Sequence, residues 1–265
     1  MRKLYFLPPV FMLIAGIFGA KLRQIEIDMV FDYATGLAHP MASETINLAL
    51  LSAAAVIFAV IAAVLIPRGR AALRGYSEAF HISSFFVFTL YALLGGAVSV
   101  TSGLWFASYM SSHDMFNVND MFLMLMSFLS GISLITGAVC GFTRKNVPAM
   151  RFFGVIPSLF FCLWLLDIYT ANRTNPVLLD FVLPCFGYAS ACLGFFYSAG
   201  YIYNRSSPRL TLLFALFGIY FCTASLPDSP GNFELLLTIF FISTQVFNAA
   251  IFSKNLCTSQ KNKTA

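Results

Sequence analysis

Arg151–Asp180 reads RFFGVIPSLFFCLWLLDIYTANRTNPVLLD: a basic start, an apolar run with an early proline, an aromatic and acidic end, then a proline four residues ahead of an acid. A run of that kind is the pattern of a helix crossing a bilayer, where about 20 apolar residues are needed and lipid offers backbone groups no partner. The same landmarks open the chain. Arg2, Pro8 and Phe11 have the spacing of Arg151, Pro157 and Phe160, and Pro40 precedes Glu44 as Pro176 precedes Asp180. Arg74 and Arg209 then follow the two later prolines at similar distances, each opening another apolar span. This recurrence predicts two tandem halves, 1–142 and 143–265, the second ending in a short polar tail.

Composition sets the class. The chain is 59% hydrophobic and only 10% charged, with mean hydropathy +0.80, more apolar surface than a soluble domain of this length can cover. Eight segments qualify as spans: about 4–20, 45–66, 80–107, 121–142, 152–170, 177–203, 210–225 and 233–253. The expected fold is therefore all-α, a polytopic integral membrane protein of eight transmembrane helices. The first span is read as an uncleaved anchor, since Phe18 spoils the small-x-small end that a cleaved signal requires. Lys21 to Glu44 is read as the longest loop. Pro184 is expected to kink the sixth span by removing a backbone donor. Two stripes of small residues, Ala55, Ala59, Ala63 and Ser133, Gly137, Gly141, mark faces where helices approach closely.

Charge fixes the expected orientation. Alternate loops and the two ends carry 13 of the Lys and Arg residues, against 3 on the opposite side. Lys and Arg stay cytoplasmic, which puts both termini inside. Acids mirror this, for of eleven only Glu78 falls on the cytoplasmic side. The net charge of +5 is thus topological and implies no nucleic-acid partner.

Candidate chemistry is sparse. No Gly-rich phosphate loop, H-E-x-x-H or Gly-x-Ser-x-Gly occurs, so no catalytic residue is assigned. Five of the six cysteines fall in apolar spans with no C-x-x-C pair, and they read as small hydrophobes. His39, His81 and His113 are too scattered for haem, and Met110, His113, Asp114, Met115, Met121 and Met124 follow no defensible copper spacing. No cofactor or metal is expected. Asn172-Arg173-Thr174 is a formal glycosylation sequon whose three-residue pattern carries little weight.

The acidic outer edge remains. Glu44, Asp167 and Asp180 are the candidate ligand-binding residues, with Glu44 and Asp180 expected to face each other across an outward cleft. Acids at helix starts also complement the helix dipole, which gives Glu44 and Asp180 a second, structural reading. Asp167 lies near a helix C-terminus, where a negative charge meets the unfavourable dipole end and needs water or a cation.

Thr35-Gly36-Leu37, His39-Pro40, Gly154-Val155-Ile156-Pro157 and Asn175-Pro176-Val177-Leu178-Leu179-Asp180 resemble multi-pass membrane proteins of clostridial-type Firmicutes without an assigned activity. The resemblance implies a bacterial plasma membrane and an eight-helix plan, and it transfers no site residue. Two functional classes stay open: a small-solute or lipid-associated transport component with an outward acidic vestibule, or a non-catalytic sensor, scaffold or partner subunit. The first implies a small-molecule ligand and the second a membrane-protein partner. The lipid bilayer is expected in both.

Overall fold

The computed structural model describes residues 6–29, 42–66, 73, 75–112, 117–145, 148–173, 181–229 and 231–264. Its elements are helices without a strand among them: α1 (Leu7–Met29), α2 (Ser43–Val64), α3 (Tyr76–Ala79), α4 (Phe85–Ser112), α5 (Val118–Thr143), α6 (Ala149–Phe153), α7 (Ile156–Asn172), α8 (Val182–Gly200), α9 (Pro208–Ala224) and α10 (Asn232–Thr264). Short 3-10 turns follow α8 at Tyr201–Tyr203 and α9 at Leu226–Asp228. Six helical segments are long and apolar enough to cross a membrane: 43–64, 85–111, 118–143, 149–172, 182–203 and 232–257. This is the pattern of a multi-pass membrane protein.

α9 is shorter, at 17 residues, and is the hub of the packing, enclosed by α8, α1, α10 and α2. A helix surrounded by protein need not match the hydrocarbon thickness by itself. Its Arg209 donates from Nε to the Ile66 carbonyl at 2.8 Å, closing the C-terminal end of α2 with the charge sign the dipole favours.

α1 departs from the expected loop. It continues as helix past Ala20 to Met29, because Leu22, Arg23 and Glu26 keep a helical face against α9 and its following turn. Pro8 and Pro9 lie in its first turn, where missing amide donors leave no bond unmade. Pro184 likewise lies in the first turn of α8, where its missing donor leaves no bond unmade and gives no reason for the expected kink, and 177–180 lie outside the described residues. The break comes instead at Gly154 and Val155, between α6 and α7, just ahead of Pro157 at the start of α7.

Both small-residue stripes are buried. Ala55, Ala59 and Ala63 are at most 4% exposed, and Ser133, Gly137 and Gly141 are likewise enclosed. The closest crossing joins α4 to α5 at Gly95 and Gly131, where a β-carbon on Gly131 would lie 2.6 Å from the Gly95 carbonyl oxygen. Gly131→Leu is expected to destabilise the protein by about 1–3 kcal/mol through overpacking, read as a lower unfolding midpoint in detergent.

The contacts do not follow two four-helix halves divided at 142/143. α1 and α2 form a hairpin on α9, whereas α4 and α5 form a second hairpin against α10 and α7, and α2 packs on α1 and α9 instead of α4. α8 and α9 pack along each other as extensively as α4 and α5 do. The described prolines and arginines of the recurring pattern fall at or near helix ends.

Alternating helix directions collect the charges at opposite ends. Arg144, Arg151, Arg205, Arg209 and Lys254 belong to one end of the bundle, and Asp120, Asp167, Asp228 and Glu234 to the other. At the basic end, His81 accepts from Arg144 at 2.7 Å through Nε2, which leaves Nδ1 to donate to the Gly141 carbonyl at 3.0 Å. Asn255 of α10 donates to the carbonyls of Ala79 and His81. The short α3 segment is thus fastened across the ends of α5 and α10.

Candidate functional site

At the acidic end α4, α5, α7, α8 and α10 splay around an open cavity of about 600 Å³. Among the described residues four carboxylates line it, Asp120, Asp167, Asp228 and Glu234, and no Lys or Arg does. Both tryptophans of the chain, Trp105 and Trp164, are in its wall. Tyr109, Phe181 and Tyr188 add further aromatic faces. A wall of this kind suits a cation, because ring faces carry negative electrostatic potential and carboxylates supply the countercharge.

The acids differ in what their positions do for the fold. Asp120 and Glu234 sit in the first turns of α5 and α10, where they complement the helix dipoles. Asp167 is near the C-terminal end of α7, exposed to the cavity and close enough to Asp120 to be repelled by it. A bound cation relieves both the dipole and the like-charge repulsion.

Asp228 is held from behind. Arg23 reaches it with Nε at 2.9 Å and Nη2 at 2.8 Å, both to Oδ1, while its Nη1 contacts Glu26 at 2.8 Å. Thr45 at the start of α2 donates to the other Glu26 oxygen at 2.6 Å. Arg23 and Glu26 are 2% and 1% exposed. The network ties α1, α2 and the turn after α9 together and fixes one corner of the cavity.

The floor is aromatic. Trp164 and Tyr188 stack with centroids 4.5 Å apart, and below them Phe241 packs face to face with Phe160 at 5.2 Å and edge-on to Phe161 at 4.9 Å. Beneath that layer a small cavity of about 20 Å³, lined in part by Tyr91, Ser133, Ser198 and Asn248, has room for about one water. α10 connects the levels. Glu234, Thr238, Gln245, Asn248 and Asn255 recur along one face at intervals of three, four or seven, interrupted by Phe241 and Phe252. Thr238, Gln245 and Asn248 are buried, and Asn248 accepts from the Tyr91 hydroxyl at 2.9 Å.

Of the three residues expected to bind ligand, Asp167 is in the cavity wall. Glu44 occupies the first turn of α2, away from that wall, as the dipole reading requires. Asp180 lies outside the described residues, as do His39, His113 and Met115. Asp120, Asp228, Glu234 and both tryptophans complete the wall, although the sequence reading did not place them together. The available signal was that each stands at a span end on the acid-rich side.

No protein family, curated protein or solved structure matches the chain. The chemistry of the cavity is the guide to what it binds.

Proposed function

We propose that the protein is an eight-span component of a bacterial plasma membrane, with both termini cytoplasmic, and that it receives a small organic cation at its outer face for transport. The eight spans are the six long apolar segments together with α1 and α9. The positive-inside bias puts the acidic cavity outside. The observation that carries the reading is the cavity itself, with four carboxylates, both tryptophans and no basic residue among the described residues of its wall. Among the described residues no three His, Cys, Asp or Glu side chains converge on a metal-ion position. Spaced acids between aromatic faces fit a larger ammonium-type cation better than a bare metal ion.

The polar face of α10 below the aromatic floor supports a path through the bundle. Among the described residues the buried charged groups are Arg23 and Glu26, both near the outer end, so no buried carboxylate is available at mid-depth to carry a coupling proton. The closed Phe241 layer favours the second reading, a sensor or partner subunit that binds the cation without passing it.

Tetramethylammonium, titrated against the purified full chain, tests the site. The unfolding midpoint should rise with concentration, and Asp167→Asn should weaken the apparent affinity about ten-fold while leaving the ligand-free midpoint within about 2 °C, since an exposed side chain contributes little to stability. Equal stabilisation of parent and variant, or none of either, removes the cation site.

A further inference from the structure

A second groove, of about 590 Å³, opens at the basic end beside the 3-10 turn that follows α8. Val155, Phe196 and Tyr197 form its deeper apolar part, and Tyr203, Arg205 and Ser207 its mouth. No carboxylate lines it. We propose that this groove binds an anionic phospholipid of the leaflet on the basic side. The proposal rests on the membrane placement and is independent of the outer cation site.

The mouth fixes the backbone of the residue that carries its charge. The chain leaves α8 through Tyr201–Tyr203, turns at Asn204 in the left-handed region with φ 58°, and returns with the Arg205 amide donating to the Gly200 carbonyl at 2.9 Å. Tyr203 donates its hydroxyl to the Arg151 carbonyl, fixing the turn against α6. Arg205 can present a planar pair of donors to a phosphodiester, and the Ser207 hydroxyl a further one.

The deeper wall suits an acyl chain. Phe196 lies about 10 Å from Arg205 along the helix axis, which carries the groove from headgroup level into hydrocarbon. Phe196 is exposed on the lipid-facing surface, while Tyr197 is held by stacking on Phe214 of α9 at 5.5 Å. An apolar slot ending at an arginine matches a two-part ligand, tail and anionic head, and a free phosphate would leave the slot without an occupant. Cytoplasmic leaflets are rich in anionic lipid, so the charge complementarity agrees with the orientation set by the basic loops.

Native mass spectrometry of the detergent-purified full chain, titrated with phosphatidylglycerol or with phosphatidylcholine of the same acyl chains, tests this. Phosphatidylglycerol adducts should predominate in the parent. Arg205→Gln should reduce them about five-fold, with phosphatidylcholine binding unchanged, and Arg205→Lys should keep most of the preference. Lys145→Gln, an exposed charge after α5 that does not line the groove, should leave the preference intact. The proposal is overturned by equal binding of the two lipids in the parent, by an Arg205→Gln variant that keeps its preference, or by an equal loss in Lys145→Gln.

Discussion

Arg23→Met is expected to lower the stability of the protein by about 3–5 kcal/mol, the range for removing one partner of a buried ion pair. The size follows from what is left behind. Glu26 and Asp228 are then two carboxylates near each other with their shared cation gone, and Thr45 offers Glu26 a single neutral hydrogen bond. Methionine fills much of the arginine stem's volume, so lost charge and not a cavity dominates. A second neutralisation provides the check. Glu26→Gln added to Arg23→Met removes the repulsion between the two carboxylates, so the double variant should have a higher unfolding midpoint than Arg23→Met alone. A double variant no more stable than Arg23→Met would show that the network contributes through packing alone. Glu26→Gln should cost less, because Arg23 keeps Asp228 and the amide oxygen can still accept from Thr45.

That network was hidden from sequence reading for a physical reason. Charged residues after Ala20 end a hydrophobic run, and a transfer scale assigns them to water. Whether a helix continues depends instead on a partner elsewhere, here Asp228, 205 positions away in the chain. The long helices were legible because bilayer thickness imposes one length on each of them, and loop charges alternate wherever that length is met. Asp167 was legible because a carboxylate at a helix C-terminus opposes the dipole. Glu44 stands at a helix start, where an acid complements the dipole. The tandem halves were read from proline near a helix start and arginine before it, which are properties of any helix entering from the basic side. Their spacing says nothing about which helix packs on which. The polar face of α10 was present in the sequence as Thr238, Gln245 and Asn248, seven and three residues apart inside an apolar run, a periodicity that total hydropathy averages away.

That face gives the test that separates passage from mere binding. Phe241 is 1% exposed, packed among Phe160, Phe161 and Phe195, and interrupts the polar series between Thr238 and Gln245. Phe241→Ala should destabilise the protein by about 3–5 kcal/mol, the usual loss for deleting a buried ring. It should also thin the aromatic layer between the outer cavity and the small one beside Asn248, because the ring packs against Phe161, which stacks on Trp164 of the outer wall, and against Phe195 of the inner one. In a transport component the layer must open during each cycle, and a variant in which it is permanently thinned should let tetramethylammonium leak from loaded proteoliposomes at a rate well above the parent's. Phe241→Leu, which restores most of the apolar volume, should suppress that leak and recover part of the stability. A sensor or partner subunit has no reason to keep polar groups aligned below the layer. In that case Phe241→Ala lowers the midpoint, Phe241→Leu raises it again, and neither variant leaks. The pairing of a stability change, which both readings require, with a leak, which only one requires, tells them apart even though the alanine variant is less stable than its parent.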